Sequence, residues 1–463
     1  MKSPRRVARI LLSVASVLII SGCGGSSPVT QPPPDVSGWT WVGGANVANQ
    51  SGVYGTQGTP SSSNIAGARE AAVSWTDSSG KLWLFGGGGY DAVGRFGLLN
   101  DLWSFDGSNW TWVKGATTVN QAGVYGTQGT ASASNVPGAR EGSTSWTDAG
   151  GNLWLFGGYG LDASGFSRGH LNDLWKFDGS NWTWVSGANT IQQAGSYGTQ
   201  GIADPSNVPG SRDGAVAWKD SSGNIWLFGG GGLDSTGTSG ILNDLWKFDG
   251  SQWAWINGSN LVNQAGLYGT QGMASPSNAP GARWYPVSWT DGSGHFWLLD
   301  GVGFDSAATL GDLNDLWEFD GSNWIWVSGA NVANQAGVYG TQGTSSSSNW
   351  PGSRWEAGFR TDGGGNLWLF GGFGFDSAGT EADLNDLWKF DGQKWTWVSG
   401  GNLAKQAGVY GAKGTASHSN VPGARRSSVS WIDKSGNVWV FGGLGYDSTG
   451  NISELNDLWR FQP

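Results

Sequence analysis

Cysteine is almost missing from this chain. Cys23 is the single one in 463 residues, so no intramolecular disulfide can form. Histidine is scarce too. His170, His295 and His418 fall at different places in different copies of the repeat described below, which argues against a multi-histidine metal site. No metal and no other cofactor is expected. Charged residues make up only 13%. After residue 22 no apolar run is long enough to cross a bilayer. No stretch carries a 3.6-residue apolar period, which predicts almost no helix. No Gly-x-Ser-x-Gly elbow or phosphate loop stands out, and no catalytic residue is assigned.

Glycine (82) and tryptophan (32) are abundant instead. With so few charges, this is the composition of a turn-rich, aromatic, all-β protein. One unit of about 71 residues recurs six times, marked by Arg69, Arg140, Arg212, Arg283, Arg354 and Arg425. Such a period means one supersecondary unit stacked on copies of itself. In the first copy, strand one runs from about Glu70 to Trp75 and a turn holds Asp77 and Gly80. Strand two is Leu82 to Phe85, closed by Gly86-Gly87; strand three is Asp101 to Phe105 and strand four Trp110 to Val113. Short aromatic and β-branched runs cut by Gly, Asn, Asp and Ser read as antiparallel strands.

The chain opens differently. Lys2, Arg5, Arg6 and Arg9 precede an apolar run, Ile10 to Ile20, and then Ser21-Gly22-Cys23. This resembles a bacterial lipoprotein signal, which implies a signal peptide over 1–22 and lipidation of Cys23 as the new N-terminus. Residues 23–37, with Pro28 and Pro32 to Pro34, read as a Gly/Ser/Pro tether. Residues 38–463 are the folded domain. The expected location is the bacterial cell envelope: lipid-anchored, in the outer membrane if the host has one, or at the cell surface. The lipid is the sole membrane contact expected. Without residues 1–22, which carry four basic and no acidic residues, 21 Lys+Arg face 35 Asp+Glu. That balance excludes nucleic acid as a partner, since phosphate binding needs a basic surface.

The repeat resembles the kelch repeat. The features that match are the Gly-Arg start of strand one, the double Gly after strand two, the Asn-Asp-Leu-Trp of strand three and the Trp near the end of each unit. The resemblance covers residues 39–463. It implies an all-β fold: a six-bladed kelch-type β-propeller with four antiparallel strands per blade. The last copy stops at Pro463 without a fourth strand, whereas Trp39-Thr40-Trp41 precedes the first strand one. The N-terminal strand is therefore expected to close the last blade and remove an open seam. Kelch propellers include the copper radical galactose oxidases, which need a Cys–Tyr crosslink and two His ligands. With Cys23 in the anchor, that activity is excluded.

Of the 32 Trp, 29 occupy the same five places in each unit, and Phe359 is read as the one gap. They are expected to fill the space between sheets. Trp284, Trp350 and Trp355 fall outside the pattern, near the start of strand one in copies four and five. The residues after the marker Arg vary most between copies: Glu70, Glu141, Asp213, Trp284, Trp355 and Arg426, then Ala71, Gly142, Gly214, Tyr285, Glu356 and Ser427. In kelch propellers strand one lines the central channel and its start lies on the face of the long loops, where binding residues tend to sit. Lys405, Lys413 and Arg426 depart from the repeat in a basic direction. The ligand-binding candidates are thus Trp284, Tyr285, Trp350, Trp355, Glu356, Lys405, Lys413 and Arg426. Arg354 and Arg425 join them because the marker position binds acidic ligands in some kelch relatives. Aromatics beside cations suit a sugar carrying a carboxylate, or an acidic peptide.

Two features have two open readings. The marker Arg residues can pair with carboxylates of their own repeat. Asp91, Asp162, Asp234, Asp305, Asp376 and Asp447 can satisfy turn amides or hold Ca²⁺ as a carboxylate ring. The expected function is a monomeric binding module for a glycan or an extracellular protein on the long-loop face. A structural or adhesive surface protein and a channel-mouth carbohydrate-active enzyme are the alternatives.

Overall fold

Asx turns and paired glycines cut each repeat into short strands. Asp77 shows how. Its Oδ1 accepts the N–H groups of Ser79 and Lys81 at 2.9 and 3.0 Å, and its Oδ2 accepts the Trp83 indole N–H at 2.9 Å. The turn and the strand after it are pinned together. Asp148, Asp220, Asp291, Asp362 and Asp433 repeat the Trp contact. These facts come from a computed structural model that describes residues 38–77 and 79–463. The signal, Cys23 and the tether fall outside the described residues.

Strand β1 (Gly38–Gly43) precedes the first repeat, which holds β2 (Arg69–Glu70), β3 (Val73–Thr76), β4 (Leu82–Phe85), β5 (Gly88–Tyr90), β6 (Phe96–Leu98), β7 (Leu102–Phe105) and β8 (Trp110–Lys114). Strands β3, β4, β7 and β8 pair in that order, all antiparallel, and β2, β5 and β6 form a second small sheet beyond Gly86-Gly87. In the second repeat two long strands, Leu153–Leu161 and Arg168–Phe177, run through both parts with a bulge between Phe156 and Gly158. The described residues contain no helix. At the far end, β1 pairs with Ile452–Gln462, setting Trp39 opposite Phe461 and Trp41 opposite Trp459.

Strand one is not the continuous segment the sequence suggests. It breaks after its second residue, where Ala71, Gly142, Gly214, Tyr285, Glu356 and Ser427 all take positive φ, from 49° to 63°. The cause is a bond made elsewhere. Each of these six N–H groups donates to the carbonyl of its counterpart in a neighbouring repeat. Gly142 N bonds Ala71 O, Gly214 bonds Gly142, Tyr285 bonds Gly214, Glu356 bonds Tyr285, Ser427 bonds Glu356, and Ala71 bonds Ser427. The six bonds form a closed ring around an axis. The sheets stand around that axis as in a β-propeller.

Between consecutive sheets lies an aromatic core. Val73, Trp75, Phe85 and Leu102 pack against Leu153, Leu155, Trp175, Phe177 and Trp182 of the next repeat. The last repeat meets the first in the same way, with Trp431, Trp439 and Phe441 against Leu82, Trp103 and Trp110. Burying each large aromatic contributes roughly 2–3 kcal/mol. Inside every repeat one ion pair is fully buried. Arg69 grips Asp101 with two N–H···O bonds of 2.7 and 2.8 Å, while Tyr54 Oη and Trp103 Nε1 donate to the same carboxylate at 2.7 and 2.6 Å. Four donors meet this carboxylate, one on Oδ1 and three on Oδ2, and such added hydrogen bonds are what make a buried ion pair tolerable. Tyr54 belongs to the long loop before the repeat, so this network clamps loop to sheet.

Candidate functional site

The long-loop end of the axis carries three rows of side chains that differ between copies. They stand side by side because the ladders pair them: Glu141 with Tyr159 and His170, Asp213 with Gly231 and Ile241, Trp284 with Val302 and Asp312, Trp355 with Phe373 and Asp383, Arg426 with Leu444 and Glu454. Glu70 completes the set beside Gly88 and Leu98.

Trp284, Tyr285 and Trp355 come together. The Trp284 and Trp355 rings lie 6.4 Å apart at 17°, and Tyr285 lies 5.0 Å from Trp284 and 6.3 Å from Trp355. Phe373 extends the group, 5.7 Å from Trp355. The third repeat makes room for this cluster. A Cβ on Gly214 would meet Trp284 at 2.3 Å, so a glycine is required there. Tyr285 Oη reaches over the ring of backbone bonds and donates to Asp213 Oδ2 at 3.2 Å. His170 Nδ1 stands 3.1 Å from the other oxygen of Asp213. Glu356 takes a hydrogen bond from Ser427 Oγ and faces Arg426 Nε at 3.7 Å.

Carboxyl groups dominate the mouth, and burial alters them. Glu70 is pushed up to about 7 by burial and then by Glu141, partly offset by Arg426. Glu141 rises to about 7 through burial and Asp213. Asp312 rises to about 7, chiefly by burial, and Glu356 to about 8 through burial and the charges of Glu70 and Glu141. Near neutral pH these groups are shared between donor and acceptor forms. Trp284 Nε1 and Asp312 Oδ2 are buried here without a hydrogen-bond partner among the described residues, as are His170 Nδ1 and Asp213 Oδ1, which face each other at 3.1 Å. Among the described residues no group of three His, Cys, Asp or Glu is placed to hold a metal ion.

The other candidates lie elsewhere. Arg354 and Arg425 are fully buried and bound to Asp386 and Asp457, so neither reaches a ligand. Trp350 exchanges backbone bonds with Val338, donates its indole N–H to Asn314 O at 3.1 Å and packs edge-on against Trp395. It belongs to the clamp between repeats. Lys413 caps the Trp41 ring at 4.4 Å and donates to Gly44 O, on the outer strand. Lys405 takes the left-handed place that Asn49 or Asn120 takes in other copies; its N–H donates to Asp383 O at 2.9 Å, and its side chain is exposed. Arg426 does reach the mouth, but it is ion-paired to Asp383 at 2.8 Å and covers Phe373 at 5.1 Å. A cationic site for acidic ligands is therefore not what the mouth presents. The turn aspartates bind amides: Asp91 accepts from Val93 and Arg95 with one oxygen and from Val119 with the other.

Sequence reasoning missed His170, Asp312, Phe373, Asp383 and Glu454. The signal was present, since the residue after Gly-Gly and the one before Leu-Asn-Asp vary between copies as strongly as the residue after the marker Arg. It also misplaced a residue. Register sets Arg360 opposite Trp368 as Trp75 stands opposite Trp83, so Arg360, not Phe359, takes the place of the missing Trp.

No family model matches the chain, and no curated protein matches it. Among solved structures, YjhT superposes with a TM-score of 0.48 at 15% identity, over 88% of this chain and 95% of its own. A novel fungal alcohol oxidase with catalytic diversity among the AA5 family, in complex with copper, gives 0.44 at 14% identity, over 89% of this chain and 77% of its own.

Proposed function

We propose that the chain is a kelch-type propeller of six blades, the last closed by β1, and that it binds a neutral glycan at the long-loop mouth. One observation carries the ligand class. Aromatic faces of Trp284 and Trp355 stand beside buried polar atoms, Trp284 Nε1 and Asp312 Oδ2, that have no partner among the described residues. Sugars offer what such a surface lacks: C–H faces for aromatic rings and hydroxyls that both donate and accept. Carboxyls with raised pKa supply donors as well as acceptors near neutral pH. Arg426 holds Asp383 and Glu356 in place rather than meeting an anion.

The test is a glycan array followed by titration calorimetry of the best hit. Trp355→Ala and Trp284→Phe are each expected to weaken binding at least tenfold, about 1.4 kcal/mol, with little change in Tm. Wild-type affinity in both variants would remove the mouth from the reading. Turnover of the bound glycan would replace a binding role by a catalytic one.

A further inference from the structure

A second set of departures lies deeper, in the channel itself. The innermost strands enclose about 550 Å³, a volume within the range of small-molecule sites. Serine hydroxyls line it, among them Ser74, Ser145, Ser288 and Ser430. In five repeats the innermost strand reads Val or Thr, then Ser or Ala, then Trp, as in Val73-Ser74-Trp75. Repeat five reads Gly358-Phe359-Arg360.

The first and third of these positions face the next sheet. Thr144 Oγ1 bonds Ala215 O, and Trp75 Nε1 bonds Trp154 O. Repeat five thus removes a branched side chain and an indole from one face at once. A Cβ on Gly358 would come within 3.3 Å of Ser428 Oγ, and that buried hydroxyl has no hydrogen-bond partner among the described residues.

Arg360 does not fill the space of the indole. Its guanidinium extends into the channel, where Nη2 donates to Ser74 Oγ of repeat one at 2.8 Å and Nη1 to Phe359 O at 2.9 Å. The marker arginines all grip a carboxylate. Arg360 has no ion pair among the described residues. Burial lowers its pKa to about 10, so it is still charged at neutral pH.

A half-buried guanidinium with only neutral partners is costly and keeps donors in reserve. One positive charge suits a monoanion, and the planar fork suits a carboxylate better than a sphere of charge. The serine hydroxyls suit a ligand with hydroxyls of its own. We propose that the channel binds a hydroxylated monocarboxylate of the size of a sugar acid, its carboxylate on Arg360 and its hydroxyls on the surrounding serines. Tyr285 and Glu356 stand at the mouth end of this cavity, and half-buried Thr76 and Thr361 at the opposite end.

Calorimetry with D-glucuronate, D-glucose and inorganic phosphate tests this. Saturable glucuronate binding is expected, weakened at least tenfold by Arg360→Gln. Arg360→Trp, which restores the residue of the other repeats, should abolish it while keeping the fold. Lys413→Ala, on the outer strand, should leave glucuronate binding unchanged. A rise in wild-type Tm with glucuronate but not with glucose is expected independently of any variant. Absence of glucuronate binding up to ~10 mM overturns the proposal, that limit being weaker than about −3 kcal/mol. So does wild-type affinity in both Arg360 variants, or loss of binding in Lys413→Ala. Phosphate binding more tightly than glucuronate through Arg360 overturns the carboxylate assignment.

Discussion

Asp300 is the least comfortable residue in the described chain. The other five repeats have Gly86, Gly157, Gly229, Gly371 and Gly442 at this place, all with positive φ. Asp300 adopts φ 61° with a Cβ, is wholly buried, and has no hydrogen-bond partner for either oxygen among the described residues. Burial raises its pKa well above the carboxylate range. Asp300→Gly relieves the backbone and removes unpaired polar atoms, and should stabilise by about 1–3 kcal/mol. Urea unfolding measures it, and a lower midpoint would show that Asp300 makes a compensating contact. Tyr285 and Glu356 share the left-handed backbone, but their side chains are bonded, Tyr285 to Asp213 and Glu356 to Ser427.

At the scale of elements, β1 takes over the bonds that β8 makes in its own sheet. Gly414 N and Ser417 N donate to Trp41 O and Trp39 O at 2.8 and 3.3 Å, as Gly58 N and Ser61 N donate to Trp112 O and Trp110 O. Asn420 Nδ2 donates to Trp39 O as Asn64 Nδ2 donates to Trp110 O. Trp39 is fully buried against Phe370, Trp459 and Phe461. Deleting residues 1–43 removes this strand and bares an edge, whereas deleting 1–36 leaves it intact. The longer truncation should lower Tm sharply and the shorter one should not. Equal midpoints would refute closure by β1.

For the molecule as a whole, the mouth sets the response to pH. Glu70, Glu141 and Glu356 have folded-state pKa values of about 7, 7 and 8, above the ordinary glutamate value of 4.5. Asp312, at about 7, is likewise raised. A raised carboxyl binds protons more tightly in the folded state. Its contribution is complete below the unfolded value and is lost as pH climbs through the folded one. The turn aspartates Asp77, Asp148 and their counterparts are shifted downward and act only below the ordinary aspartate value of 3.8. Between pH 4.5 and 8 the raised group governs, so stability should fall as pH rises. Calorimetric Tm at pH 5 should exceed that at pH 8.5, and replacing the four carboxyls by amides should narrow the difference, the remainder coming from Asp300, Asp383 and Glu318, which are raised as well. A Tm that increases across this range would contradict the burial of these groups.

The sequence determined the repeat, its four main strands and which side chains build the core, because those follow from local pattern copied six times; the break in strand one and the strands beyond the paired glycines depend on bonds between repeats and between ladders. Turn aspartates, paired glycines and five recurring tryptophans can be read without coordinates. It also pointed to Trp284, Tyr285, Trp355, Glu356 and Arg426, since a repeat exposes its own exceptions. Only the tertiary structure decided which exceptions meet. Lys413 and Trp350 depart from the repeat as clearly as Trp355 does, yet one caps Trp41 and the other clamps a loop. Charge could not be assigned from the chain either, because pairing across repeats neutralises Arg426 and leaves Arg360 without an ion pair among the described residues. Register alone distinguished Arg360 from Phe359. A strand places side chains with a period of two, so one residue of misalignment moves a side chain from the channel to the neighbouring sheet.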